Sequence, residues 1–237
     1  MEADTPGSHQ GQGGAVLADA ALPSLPVRMF EVIVSPGKVF LALQQRPVWF
    51  WVLALTAVGA ALTVWFIPEE AWNNMFREQM LASGRVTEGE LPEMGTPALV
   101  GATIAAMVSV FLISVVIAAL TFGVFVFLFG DQGGYKQHLS IVAHAGVVTL
   151  IGALVALPLR ISQLDPQLTL SVGTLFPFLP DGYFYNVLQS LDLFALWAAV
   201  LTALGVSMLD ARRSWGSAAS VTVGLAVVFA LAVGFIR

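Results

Sequence analysis

The stretch VWFWVLALTAVGAALTVWFI, residues 48–67, runs for 20 residues without a charge between two prolines. An α-helix rises about 1.5 Å per residue, so this length matches a hydrocarbon core of about 30 Å. Trp49, Trp51 and Trp65 lie near its two ends, and such side chains favour the interface between membrane and water. The stretch therefore predicts a membrane-spanning helix.

Four further apolar runs follow along the chain. Hydrophobic residues make up 57% of the 237 residues and charged residues only 11%, against about a quarter in an average soluble domain. The runs cover residues 98–130, 141–159, 193–209 and 218–236. With the first run, they predict an all-α integral membrane protein of five transmembrane helices.

Charge and cysteine content exclude several classes of site and partner. The sequence has no cysteine, which excludes disulfides, zinc–thiolate sites and thiol catalysis. Its net charge of −5 argues against nucleic acid as a partner. Residues 1–25 are rich in Gly, Pro and small polar residues and predict a disordered tail. Residues 26–237 then make up the membrane domain.

The distribution of Lys and Arg predicts the orientation in the membrane. Six of the 10 positively charged residues precede the first run or lie in the second and fourth connections. The other four belong to the opposite side. The richer side is normally cytoplasmic, so the N-terminus is predicted in the cytoplasm and the C-terminus outside.

The segment SPGKVFLALQQRP, residues 35–47, predicts a helix at the cytoplasmic surface. Its Gly-Lys pair suggests a phosphate-binding loop, but Val32 and Val39 stand where that loop needs Gly and Ser or Thr. Ser35 is instead a suitable N-cap and Pro36 a suitable first helical residue. The apolar side chains that then share one face are Val39, Phe40 and Leu43.

The segment PEEAWNNMFREQML, residues 68–81, predicts an interfacial helix on the outer side. Its large apolar side chains fall on one helical face: Trp72, Met75, Phe76 and Met80. Glu69 and Glu70 lie in the first turn, where the helix dipole favours acidic groups. A solvated helical loop is the alternative that the sequence leaves open.

Three segments resemble the bacterial branch of the Yip family, the multi-pass proteins built on the Yip-one domain. They are SPGKVFLAL (35–43), GGYKQHLSIVAHAGV (133–147) and LQSLDLFALWAAVLTALGVS (188–207). The likeness covers about residues 28–236 and includes the order of tail, amphipathic entry and five spans. It implies the family's membrane fold and a bacterial cytoplasmic (inner) membrane location.

The resemblance also implies a function in outline. Eukaryotic members of the family act in vesicle traffic and bind membrane-anchored Rab GTPases. The Asp-Leu-Tyr-Gly-Pro signature of those members is absent before the first run, and His144 and Val148 stand where Tyr and Pro often occur. The resemblance therefore implies a membrane adaptor or organiser rather than a particular GTPase partner.

Three ionisable residues within or beside the runs are candidate functional groups, because a charge in lipid is costly. His144 lies one turn into the third run and Asp192 at the start of the fourth. The topology puts these two near opposite surfaces, so no proton relay is expected between them. Arg160, at the outer end of the third run, is the better partner for Asp192. Solvation of Asp192 among headgroups, or an ion or proton site, are the alternatives.

No cofactor, metal or catalytic group is predicted. His144 is expected to be neutral and bonded to a carbonyl or a neighbouring side chain, because a metal site would need more ligands. The other histidines are His9, in the tail, and His138, six residues earlier. Zincin motifs, nucleophile elbows and dinucleotide-binding turns are all missing from the sequence.

Small residues recur every four positions in the fifth run. Gly216, Ser220 and Gly224 form one stripe, and Ala226, Ala230 and Gly234 form a second. This spacing lets helices approach closely in lipid. Packing within the bundle is the simpler interpretation, and self-association or docking of a partner's helix is the alternative.

These features together favour a non-enzymatic adaptor or organiser that works through lipid and protein contacts. A small-molecule transporter or permease subunit is the main alternative. Transporters typically show internal repeats and broken helices near the membrane midplane, whereas this sequence has an odd number of apolar runs and no evident repeat.

Overall fold

The computed structural model describes residues 22–84 and 95–235. Within these ranges no strand forms, and a single β-bridge joins Ser171 to Asp192. The α-helices are α1 (Leu25–Val34), α2 (Pro36–Gln45), α3 (Phe50–Phe66), α4 (Glu69–Ala82), α5 (Thr96–Phe122), α6 (Tyr135–Ala145), α7 (Val147–Gln163), α8 (Tyr183–Ser190), α9 (Leu193–Ser207) and α10 (Trp215–Val233). The all-α prediction is confirmed for this part of the chain. Most of the predicted tail, residues 1–21, lies outside the described residues.

Each predicted run coincides with an apolar helix, but fewer than five helices have the length of a span. In the described ranges, three are long and apolar enough: Thr96–Leu128, Tyr135–Gln163 and Trp215–Val233. A fourth results if α3 and α4, which meet at 92°, count as one bent span. α9 has only 15 residues, about 22 Å of helix, which is less than a typical hydrocarbon core. By length and apolar composition, the described ranges thus contain three to four candidate spans, and the five-span count stays a prediction.

The helix that begins with α5 ends as a π-helix. Residues Gly123–Leu128 continue α5 with this wider turn. Phe125 points inward and is fully buried, whereas Phe127 and Leu128 are exposed. Such short π-helical segments within α-helices are frequent at functional sites.

α6 and α7 form the central helix of the bundle. Residues 138–145 of α6 are all buried, because α1, α2, α5 and α9 pack around them. α9 approaches this central helix closely at two glycines. A Cβ atom on Gly152 would lie 2.5 Å from Cγ of Phe194, and one on Gly205 would meet Ile141. The two glycines therefore allow a helix spacing that any larger residue would prevent.

α2 forms where the sequence predicts it, but it faces the protein. It begins at Pro36 and ends before Pro47, and the side chain of Ser35 makes no capping hydrogen bond. The predicted apolar face is buried against α6 and α9, with Val39, Phe40 and Leu43 at most 1% exposed. Phe40 lies beside Gly205, near the end of α9, so the apolar face of α2 packs on the bundle and not on lipid.

α4 corresponds to the predicted interfacial helix. It covers Glu69–Ala82 and turns away from α3 by 92° after Pro68. The predicted apolar side chains are half-buried: Trp72, Met75, Phe76 and Met80. Trp72 Nε1 donates to the carbonyl oxygen of Val64 at 3.3 Å, so this contact fixes the bend.

The close approach at Gly152 generates a stability prediction. We expect Gly152→Ala to lower the stability by about 1–3 kcal/mol, because the added methyl overlaps the Phe194 ring. The measurement is the thermal unfolding midpoint from tryptophan fluorescence in a mild detergent. Gly224→Ala is the control, since a Cβ there meets nothing within 4 Å. Equal midpoints for both variants would contradict the helix spacing.

Candidate functional site

Two fully buried histidines lie on α6. His144 Nδ1 is 2.8 Å from the carbonyl oxygen of Ser140, and because a carbonyl can only accept, Nδ1 carries a proton. His138 Nδ1 is 3.4 Å from Thr121 Oγ1, and its ring stands edge-on to Phe122 at 5.6 Å. In both rings Nε2 is buried and has no hydrogen-bond partner among the described residues.

Arg28 of α1 faces the same part of the bundle. The residue is only 9% exposed, and its Nε and Nη1 atoms have no hydrogen-bond partner in the described part of the chain. Arg28 and His144 line a cavity of about 300 Å³, whose other wall is residues 47–52 at the start of α3. Burial lowers the pKa of the Arg28 guanidinium, since desolvation disfavours the charged form.

An ion pair joins the loop after α5 to the loop before α10. Arg213 contacts the carboxylate of Asp131 through two bonds, Nε to Oδ2 and Nη2 to Oδ1, each 2.7 Å long. The same guanidinium lies over the rings of Phe125 and Phe129, 5.7 and 4.7 Å from their centroids. The π-helix therefore supplies a ring that helps to hold this arginine. The hydrogen bond to Asp131 raises the pKa of Arg213.

A second pair lies beside the first. Asp210 is buried and accepts hydrogen bonds from Arg212 Nη2 at 2.7 Å and from the backbone N–H of Gln132 at 2.9 Å. Arg212 also donates to the carbonyl oxygen of Gly130 at 2.9 Å. The side-chain bonds from Arg212 hold the pKa of the Asp210 carboxyl far below its usual range. We call Asp131, Asp210, Arg212 and Arg213 the loop latch.

Arg160 and Asp192, the predicted pair, are each held by the backbone. Arg160 Nε donates to the carbonyl oxygen of Leu168 at 2.7 Å. Asp192 is the N-cap of α9, where its Oδ1 accepts from the N–H of Ala195 at 2.7 Å. No direct ion pair joins Arg160 to Asp192 in residues 22–84 and 95–235. A carboxylate at this position satisfies a helix terminus.

The two small-residue stripes of α10 differ in their surroundings. A Cβ on Gly216 or Gly224 would meet nothing within 4 Å, whereas one on Gly234 would lie 2.5 Å from Val187 of α8. Ser220 is exposed, and its hydroxyl donates to the carbonyl oxygen of Gly216 at 2.9 Å. Packing within the bundle, the simpler interpretation of the first stripe, therefore does not apply to its two glycines.

Sequence reasoning missed the cavity and the latch. The sequence indicates only one role for Arg28, Arg212 and Arg213: they are among the positive charges that determine the orientation. One local signal for Arg28 exists: it lies four residues before Val32, on an otherwise apolar face of α1. Residues 131 and 213 are 82 positions apart, so no local pattern links them. Among the described residues, no group of three or more His, Asp or Glu side chains could hold a metal.

An all-helical chain with three to four apolar helices of spanning length, tied by ion pairs at its loops, has the features of a multi-pass membrane protein. Comparison with known proteins identifies the family: residues 30–236 match the Yip1 domain, and the chain belongs to the Yip1 family. A relative from Bacillus subtilis (strain 168), named membrane protein YknW, is 28% identical over 219 residues. The match covers 88% of this chain and 90% of the relative. No solved structure matches the chain. The predicted resemblance to this family is thus confirmed.

The latch generates the second prediction. We expect Asp131→Asn and Arg213→Gln each to lower the unfolding midpoint by about 3–8 °C, because each leaves a partly buried charge without its partner. The double variant should lose less than the sum of the two. Asp181→Asn, in an exposed loop, is the control. Strictly additive losses would show that the two residues do not interact.

Proposed function

We propose that this protein is a non-enzymatic membrane adaptor or organiser that acts through contacts with lipids and with another membrane helix. The observation that carries this proposal is the stripe of Gly216, Ser220 and Gly224 on α10. In lipid, small residues at this spacing allow a second helix to approach closely. The open space at both glycines is available to a helix from outside this chain, either a second copy or a partner.

The polar groups of the stripe suit a lipid-facing surface. Ser220 bonds its own helix, so its hydroxyl is satisfied without water. α10 also packs mainly on α9 and α8, which leaves much of its surface exposed. The second stripe is covered by α8 of the same chain at Gly234, where a Cβ would lie 2.5 Å from Val187. Only the first stripe remains for an external helix.

Hydroxyl groups in the helices support a non-catalytic role. Thr56 donates to the carbonyl oxygen of Val52 at 2.8 Å, and Thr63 to that of Ala60 at 2.7 Å. Thr121 donates to the carbonyl oxygen of Ile117 at 3.0 Å. A hydroxyl bonded to its own backbone is not positioned as a nucleophile. We therefore propose that the protein has no enzymatic activity and needs no cofactor.

A small-molecule transporter or permease subunit is the second candidate. The 92° break between α3 and α4 favours it, because transporters use discontinuous helices at their binding sites. The bend lies next to Pro68 and is fixed by the Trp72 contact, which equally suits an interfacial helix. Substrate-dependent flux in proteoliposomes would favour the transporter.

The stripe can be tested by cross-linking, because the chain contains no cysteine. Ser220→Cys, labelled in native membranes with a maleimide photo-cross-linker, is expected to give a discrete adduct with a second copy or another membrane protein. Ala105→Cys is the matched control, since it lies exposed on the apolar helix α5. Equal adducts from both positions, or none from Ser220→Cys, would contradict the proposal.

We also propose that the chain crosses a bacterial cytoplasmic membrane five times, once for each apolar run, with its N-terminus inside and its C-terminus outside. The six-to-four distribution of Lys and Arg supports this orientation. The bond between Asp131 and Arg213 requires the two latch loops to share one side. Gln137 Nε2 donates to the carbonyl oxygen of Gln44 at 2.6 Å, which supports the end of α2 lying on the same side.

Labelling of intact cells tests this orientation. A membrane-impermeant maleimide should label Asp181→Cys in intact cells, because the loop before α8 is predicted outside. Lys38→Cys, exposed on α2, should react only after the membrane is permeabilised. The reverse pattern would invert the proposed orientation.

A further inference from the structure

The cavity between α1, α6 and the start of α3 is lined by two residues whose polar atoms find no partner among the described residues. Arg28 contributes Nε and Nη1, and His144 contributes Nε2. All three atoms are buried and lack a hydrogen-bond partner among the described residues. Unpaired buried polar atoms are rare in folded proteins, and each one calls for an explanation such as a ligand.

The charge of Arg28 determines which ligand chemistry fits. A guanidinium stays protonated in proteins and offers donors only. Arg28 takes part in neither ion pair of the described residues, although it is nine-tenths buried. Leaving such a cation without a counter-ion is costly. The complement of this group is an anion, and a guanidinium suits the oxygen atoms of phosphate particularly well.

His144 extends the same site. The bond from Nδ1 to Ser140 fixes the ring, so that Nε2 is the atom left for a ligand. Nε2 accepts a hydrogen bond when the ring is neutral and donates one when it is charged. A phosphodiester oxygen carries no proton near neutral pH, so Nε2 bonds it as the donor of the charged ring, a form that a bound anion stabilises. The cavity of about 300 Å³ lies at the lower end of typical ligand sites, which span roughly 300–1,000 Å³.

The rim of the cavity indicates where the phosphate comes from. It is formed by Trp49, Phe50 and Trp51, and the Trp51 side chain is 70% exposed. Tryptophan is enriched at the level of the lipid headgroups. On α1, the exposed side chains Val27, Phe30 and Val34 give the adjoining surface an apolar character suited to acyl chains.

We propose that Arg28 and His144 form a binding site for a phosphate group, and that its occupant is the headgroup phosphate of an anionic phospholipid. The guanidinium of Arg28 pairs with the phosphate oxygens, and His144, as an imidazolium, donates from Nε2 to one of them. The aromatic rim holds the headgroup against the start of α3. The lipid would thereby fasten α1 to the bundle at the membrane surface.

Native mass spectrometry of the full-length protein tests this site, with short-chain phosphatidylglycerol as the probe. We expect Arg28→Gln to weaken binding of the first phosphatidylglycerol by about ten- to a hundredfold, because a charge-assisted bond is lost. His144→Gln should weaken it less. Lys38→Gln is the control: it removes the same charge from an exposed position on the adjacent helix α2, and should bind like the wild type.

Further measurements distinguish a lipid site from a site for free phosphate, and binding from folding. Short-chain diacylglycerol, which lacks the phosphate, should not occupy the site, and inorganic phosphate should raise the thermal midpoint far less than phosphatidylglycerol. Saturation by inorganic phosphate at the same concentrations would overturn the lipid assignment. In lipid-free detergent, Arg28→Met should be at least as stable as the wild type, since it removes an uncompensated charge. Unchanged phosphatidylglycerol binding by Arg28→Gln would overturn the site itself.

Discussion

Burial of α6 is the constraint on which the rest of the structure depends. Eight consecutive residues, 138–145, are buried all round the helix, so α6 needs cover from every direction. α5 and α9 supply two sides, and the amphipathic pair α1 and α2 supplies the others. α9 can come close enough only because Gly205 leaves room for Ile141. The loop latch then holds α5, α9 and α10 together at this end of the bundle, because Asp131 and Asp210 pair with arginines from the opposite loop and from their own.

In this arrangement, some polar groups of the described residues have hydrogen-bond partners within the fold, whereas other polar atoms and one helix surface have none. The hydroxyls of Thr56, Thr63 and Thr121 bond their own helices, and Asp192 caps α9, so these groups are structural. Arg28 and His144 retain unpaired atoms inside, and the stripe from Gly216 to Gly224 retains open space outside. Because an unmet polar atom or an empty helix groove in a membrane is normally filled by a partner, both features favour a protein of the Yip1 family that works through contacts.

The sequence predicted what depends on local chemistry. α2 and α4 begin where proline and acidic residues favour a helix start, and α3 lies between the prolines that bracket its apolar run. Which side of a helix contacts lipid and which contacts protein could not be predicted in the same way. An apolar residue suits lipid and protein interior equally well. Phe40 and Leu43 were therefore expected at the membrane surface and are buried against α6 and α9. In the sequence Arg28 is only an orientation signal, because its burial depends on how α1 folds over α6. The spacing of the α10 stripe was evident, but only the structure distinguishes it from the stripe that α8 covers.

We propose that this protein acts by engaging another membrane helix through α10. Co-purification from native membranes in a mild detergent, followed by quantitative mass spectrometry, tests it most directly. We expect a stoichiometric second copy or partner with the wild type, and its loss when Gly216→Ile and Gly224→Ile are combined. Gly101→Ile on α5, where a Cβ also meets nothing within 4 Å, should retain it. Recovery of the wild type alone as a monomer would contradict the account.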